Sequence, residues 1–150
     1  MEPTVPLYED PDFFRLLANS YQRFLHRPLA ASEPGTHHGA RWLYECAPFG
    51  LLAHDTAFDP VFIYGNLTAQ RRFGYSWEEL TGLPSRLSAE APERREREDF
   101  LRRVMRDGFV KDYRGMRVTK LGTRFLIEGV TVWQLIDERG KLHGQAAMIP

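Results

Sequence analysis

Apolar and polar positions follow three successive rhythms along the chain, and the first is helical. Phe13, Leu16, Leu17, Tyr21, Phe24 and Leu25 recur three and four residues apart and form one stripe. Asp10 and Pro11 stand before it as cap and first helical residue, and Pro28 ends it. Residues 30–40, AASEPGTHHGA, are small and polar with Pro and Gly, and read as a linker. Trp42 to Cys46 suits a second short helix before Pro48.

The second rhythm mixes short strands with short helices. Leu51 to Asp55 and Val61 to Tyr64 are apolar runs separated by the turn signal Asp59-Pro60, and they predict a strand pair. Asn66 is placed to cap a helix from Leu67, in which Leu67, Gln70 and Phe73 share one side. Ser76-Trp77-Glu78-Glu79 fits a capping box. Tyr75 and Leu80 sit at the staple positions, and Gly82 sits at the left-handed stop. Stacked short helices of this kind predict a wall built around something. After the turn Pro84-Ser85-Arg86-Leu87, a longer helix runs from about Pro92 to Asp107 and closes at Gly108. Phe100, Leu101, Val104 and Met105 form its expected buried stripe. Glu93–Arg97, Glu98–Arg102 and Asp99–Arg103 have the spacing of ion pairs on a solvated face.

The third rhythm has period two. Val110 to Thr119, Thr123 to Ile136 and Leu142 to Ile149 read as antiparallel strands joined by turns at Leu121-Gly122 and Asp137–Gly140. Unbroken alternation along the long strand puts Phe125, Ile127, Trp133 and Leu135 on one face. Leu126, Val130, Val132 and Ile136 fall on the other. Antiparallel strands commonly bury one face only. Here both faces call for cover. One should meet the helices of the domain, and the other the N-terminal helix, a second subunit, or both.

Composition narrows the class. One hundred and fifty residues make one ordinary domain. Apolar residues at 43% and charged residues at 27% argue for a folded globule. Twenty acids balance twenty bases, which excludes a strong global field for nucleic acid or an anionic membrane. The charge is uneven. Residues 101–150 carry ten bases against five acids, including Lys111, Arg114, Arg117, Lys120 and Arg124, which read as a solvated sheet face. A single cysteine, Cys46, excludes an internal disulfide. No apolar run approaches the ~20 residues of a membrane helix. The start, MEPTVPLYED, is no signal peptide, so a cytoplasmic protein is expected.

Candidate chemistry is sparse. His37 and His38 are adjacent in the linker and lack the convergent partners a metal needs. No nucleophile elbow, Walker loop, His-Glu-Xaa-Xaa-His or Gly-Xaa-Gly-Xaa-Xaa-Gly occurs. Phe62, Tyr64, Phe73, Tyr113, Phe125 and Trp133 are aromatic residues at positions expected to face inward, as core filler or as pocket lining. Polar residues at such positions are sharper signals, because an unpaired buried polar group is costly. Asn66, Arg86, Arg117 and Gln145 are these candidates. If buried, the two arginines need an acidic partner: Glu79, Asp112 or Glu128 from within, or a carboxylate ligand.

The order of elements is similar to that of a PAS domain over residues ~47–149. APFGLLAHD resembles the first strand and FIYGN the second. FGYSWEELTGL resembles the short-helix wall, KLGTRFLIEG the fourth-strand turn, and IDERGKLHGQAA the final hairpin. More narrowly, GLPSRLSAE with DYRGMRVTKLGTRF, VWQLIDERG and GQAA resembles the MEKHLA domain, a PAS-like module. That module also occurs at the C-terminus of plant homeodomain-leucine-zipper regulators. No such DNA-binding segment stands before the module in this sequence, so nucleic-acid binding does not carry over.

The resemblance implies an α+β fold with a PAS-like five-stranded antiparallel sheet and short helices on one face. An N-terminal helical extension (residues 1–40) would precede the domain proper (41–150). It implies sensing or protein interaction without catalysis. The expectation is a small ligand held by Tyr64, Asn66, Phe73, Arg86, Tyr113, Arg117, Trp133 and Gln145. A homodimer through the N-terminal helix and sheet face is expected too. The sequence ends just after the last strand, so output is expected by contact with an unidentified partner protein. The cofactor stays unknown. Light-sensing flavin chemistry needs a cysteine where Ser85 stands, and Cys46 lies before the first strand. Haem in such sensors is held by a histidine on the longer helix, where residues 92–107 offer none. His54 and His143 are the strand alternatives. The competing reading is a small pocket enzyme of ketosteroid-isomerase type, using a Tyr and an Asp such as Tyr64 and Asp112.

Overall fold

The computed structural model describes residues 5–29 and 39–150, with the backbone alone for 91–93. His37 and His38 lie outside the described residues. The N-terminal helix α1 (Pro11–Leu25) begins where its capping chemistry predicts, with the Asp10 side chain accepting from the Asp12 N–H. It ends at His26 in the left-handed conformation, two residues before Pro28. Helix α2 (Ala40–Glu45) follows, then strands β1 (Gly50–His54) and β2 (Phe62–Gly65). Next come α3 (Leu67–Phe73), α4 (Trp77–Leu80), a 3-10 turn over Ser85–Ser88 and α5 (Ala91–Asp107). Strands β3 (Phe109–Val118), β4 (Arg124–Ile136) and β5 (Leu142–Ile149) complete the chain. The five strands form one antiparallel sheet in the order β2-β1-β5-β4-β3.

Both faces of this sheet are covered. On the outer face α1 and α2 bury Phe13, Leu17, Tyr21 and Leu43 against Leu51, Tyr64, Trp133 and Leu135. Trp133 is fully buried, meets Tyr21 edge-on at 4.9 Å, and donates its indole N–H to the Leu17 carbonyl at 3.3 Å. Ser20 stitches the helix to the end of β4, donating to the Ile136 carbonyl and accepting from the Ile136 N–H, both at 3.0 Å. The cover that the outer face calls for is therefore the chain's own first helix. On the inner face α3, α4 and α5 bury Phe73, Leu80, Phe100 and Val104 against Leu52, Tyr113, Ile127 and Val130.

Sequence expectations on β4 and on α5 need correcting. Alternation along β4 breaks, so Phe125 and Ile127 share the inner face with Val130 and Val132, while Trp133 and Leu135 point outward. The cause is a pair of compensating bulges. Tyr113 pairs with Val130, and the register shifts on either side of that pair. Asp112 on β3 (φ 57°) and Gly129 on β4 (φ 65°) both take left-handed backbone. Each strand gains an unpaired residue, and every side chain beyond it changes face. In α5, Met105 is exposed rather than buried. Asp99 pairs with Arg102 at 3.0 Å, one residue short of the expected Arg103, which lies over the Phe100 ring. Arg97 leaves the solvated face and is buried.

Candidate functional site

Between the sheet and α5 lies a cavity of about 60 Å³. Its walls are mostly apolar: Leu52, Phe62 and Phe73 at one side, Phe100, Ile127 and Val130 at the other. Phe100 stacks on Tyr113 at 3.7 Å, which fixes the ring that closes the β3 side. Two guanidinium groups enter this apolar space, Arg97 from α5 and Arg117 from β3, each only 7% exposed. Arg97 donates to the Ser85 hydroxyl at 2.6 Å. Arg117 donates to the Met116 carbonyl at 2.8 Å and to the Tyr113 hydroxyl at 3.1 Å. Gly115 makes this possible, since a Cβ there would press on the Tyr113 hydroxyl at 2.6 Å and on Arg117 at 3.1 Å. Among the described residues, neither arginine has a carboxylate within ion-pair distance. One carboxylate is linked to Arg117 indirectly: the Tyr113 hydroxyl, which Arg117 donates to, bonds the exposed Glu96 carboxylate at 3.1 Å. Burial, and then the neighbouring charge of Arg117, pull the Arg97 pKa down to about 10.

At one end of the cavity stand two acceptors without donors. His54 on β1 and Gln145 on β5 are register partners. The His54 Nδ1 donates to the Asp55 carbonyl at 2.9 Å, which leaves the lone pair on Nε2. That Nε2 and the Gln145 Oε1 are buried and have no hydrogen-bond partner. Desolvation lowers the His54 pKa and keeps the ring neutral. The Asp55 carbonyl works against this, and the charge of Arg97 reinforces it. His54, Arg97, Leu101 and Gln145 also line an outer cleft of about 680 Å³, between α5 and the loop of residues 55–60. These four residues form the neck between the cleft and the inner cavity.

The structure brings Phe73, Tyr113, Arg117 and Gln145 together on this cavity and places the other four expected residues elsewhere. Tyr64 and Trp133 face the outer side, beneath α1 and α2. The Tyr64 hydroxyl is buried there without a partner, and desolvation raises its pKa. Asn66 is a structural tie. Its side chain accepts from the Leu51 and Ala69 N–H groups and donates to the Leu43 and Phe49 carbonyls. Arg86 lies on the rim of the outer cleft, half exposed, and pairs with Asp59 at 3.1 Å rather than with Glu79, Asp112 or Glu128. In the 3-10 turn it is Ser85 that faces inward and Arg86 that faces out. Arg97, Ser88, Phe100 and His54 are cavity residues outside the expected set. Arg97 was concealed by the charge run of α5. The only signal for it was its place three residues before Phe100 on the same helical face.

The sheet order and helix placement define a PAS-type fold. The chain aligns with the crystal structure of a PAS domain from Colwellia psychrerythraea at 15% identity and TM-score 0.62, covering 71% of this chain and 88% of that one. A fungal LOV domain photoreceptor aligns at 21% identity and TM-score 0.60, over 89% of both chains. The LOV domain of the blue-light photoreceptor Aureochrome1 aligns at 19% and 0.55, over 67% of this chain and 73% of that one. At these identities the likeness is one of fold. No curated protein matches the chain. The MEKHLA domain model matches residues 11–150, so the chain belongs to the MEKHLA domain family, and the match takes in α1 from its first residue.

The residues present do not fit the chromophores of such photoreceptors. Ser85 holds Arg97, and Cys46 is exposed at the end of α2, so no thiol faces the cavity. A pocket for a drug-sized ligand spans about 300–1,000 Å³, several times the space enclosed here. The same space is too small for haem. His143 is held by Asp137 at 2.8 Å, and neither residue lines the cavity. Tyr64 and Asp112 share no pocket either, since Asp112 is exposed on β3. Among the described residues no helix is long and apolar enough to cross a membrane.

Proposed function

We propose that this chain is a non-enzymatic, cytoplasmic signalling module that senses a small molecule in the inner cavity. The observation that carries the reading is the set of buried polar groups at that cavity whose hydrogen-bonding capacity is not filled. Arg97, Arg117 and Gln145 are at least nine-tenths buried, and each has hydrogen-bonding capacity that its neighbours leave unused. A fold selected for stability alone would pair or replace them. The outer cleft supplies a route to the neck. The loop of residues 55–60, tied by the Asp55 carboxylate to the Ala57 and Val61 N–H groups, is the element that a ligand at the neck would press. Phe58 at the tip of that loop and Met105 on α5 are exposed large apolar residues on the cleft. They are the surface by which occupancy is passed to a partner protein.

The division at residue 40 into an N-terminal helical extension and a sensor domain belongs to this reading. Homodimerisation is a subsidiary part of it. A second copy would meet the outward side of α1, where Arg15, Asn19 and Arg23 are exposed, and would bind through a polar, reversible contact. The test is native mass spectrometry of freshly purified protein with an absorbance scan. The reading expects a small added mass, no band in the visible, and a monomer in dilute solution. Repeated preparations that show the bare polypeptide mass, with inner-face amide signals unmoved by any small-molecule mixture, would contradict it.

A further inference from the structure

The chemistry of the neck and the size of the cavity define a ligand class, an inference that rests on the sensor reading above. We propose that the site takes a short-chain 2-hydroxycarboxylate, with its carboxylate on Arg97 and Arg117 and its hydroxyl on Gln145.

Charge comes first. Two cationic side chains share one desolvated space. Each guanidinium carries five N–H donors, of which Arg97 uses one and Arg117 two, all on neutral oxygens. The carboxylates nearby are committed or outside. Asp59 holds Arg86, Glu96 reaches only the Tyr113 hydroxyl, and Glu98 is exposed. A guanidinium pair with open donors is matched by a planar oxyanion that can take more than one of them.

Volume comes second. A water needs about 10–15 Å³ of such space, so the cavity holds about four to six non-hydrogen atoms. A ligand held wholly within the inner cavity is therefore no larger than a short-chain acid. Phe62, Phe73, Ile127 and Val130 then face whatever lies behind the charged head, which favours a methyl or methylene over a bare inorganic ion.

The third observation selects the hydroxyl. Gln145 is 5% exposed, lines the cavity, and presents an acceptor that no donor meets. The ligand must bring that donor. An ammonium would be repelled by the two guanidiniums, whereas a hydroxyl donates without adding charge. His54 Nε2, across the strand pair, is a second acceptor at the same place.

The test is an amide-resolved NMR titration and calorimetry of the full chain with three probes: sodium lactate, sodium propionate and lactamide. Lactate is expected to bind and to shift the amides of Arg97, Arg117 and Gln145. Propionate should bind at least about tenfold more weakly, because Gln145 stays unpaired. Lactamide, which keeps the shape and loses the charge, should not bind measurably. Arg97→Met and Arg117→Met should each weaken lactate about a hundredfold. Gln145→Leu should remove the preference for lactate over propionate. The three wild-type titrations stand even if a variant folds poorly. Lactamide binding as tightly as lactate would overturn the anion assignment and leave the sensor reading intact, and so would a bound mass of another chemical class in native spectra. Propionate matching lactate would overturn the hydroxyl assignment. No response to any probe, with no bound mass, would overturn both readings.

Discussion

The two faces of the sheet are built to different standards. Under α1 the outer face is tied down: the Trp133 indole, both Ser20 bonds and the Ile136 backbone all find partners across the helix–strand contact. Among the described residues its one orphan is the Tyr64 hydroxyl, set among the rings of Phe13, Tyr44 and Trp77. The inner face encloses a cavity, two guanidiniums without carboxylates and two acceptors without donors. Unsatisfied buried groups cost about 1–3 kcal/mol each. The chain therefore spends stability on the inner face and recovers it on the outer one. A tightly paired face and a loosely satisfied one are separated by the thickness of a single sheet.

Removing residues 1–40 should have the largest effect on this contrast. It uncovers Trp133 and Leu135 along β4. The expected outcome is loss of a cooperative unfolding transition, or self-association through the bared face, seen by light scattering. A truncated monomer with an unchanged Tm would break the comparison. Next is Trp133→Ala, which deletes a fully buried indole and its bond to α1. It should cost about 3–5 kcal/mol in denaturant unfolding.

A matched pair then separates a satisfied polar group from an unsatisfied one. Asn66→Ala strands two N–H groups and two carbonyls and should cost about 3 kcal/mol. Gln145→Leu strands nothing at its Oε1 and should be neutral or stabilising. Equal losses for the two would erase the distinction. The smallest of these effects concerns pH. His54 titrates near 6.5 when unfolded and lower when folded, because burial disfavours its charge. Between the two values the unfolded chain binds the extra proton. Stability is thus fully present above about 6.5 and falls as pH drops toward the folded value. His54→Gln should flatten unfolding curves taken between pH 7 and 5.

Most of the fold is legible from local signals that act over a few residues. Asp10-Pro11, Asn66 and the Ser76–Glu79 box mark helix starts, and all three make the predicted side-chain bonds. The site is legible only in part, for reasons that are not local. Arg117 and Gln145 stand out as polar residues on strand faces that bury. Tyr64 and Trp133 look equally inward on period alone, yet the sheet has two interiors, and one-dimensional alternation does not say which is which. The bulge at Gly129 then inverts the assignment for everything after it. Arg97 is hidden because its neighbours Arg94, Arg95 and Glu98 make a solvated-face pattern around it. Only the packing of α5 on the sheet separates it from them.

The central claim is that the inner face keeps its buried charge for a ligand and not for the fold. The unfolding free energy of ligand-free Arg97→Met against the parent tests it most directly. An apolar side chain of similar length removes a desolvated guanidinium that has no carboxylate partner, at the loss of one bond to Ser85. The account predicts a variant more stable by about 1 kcal/mol or more. A variant less stable by that amount would show that Arg97 is a structural tie and that the cavity is only a flaw in the packing.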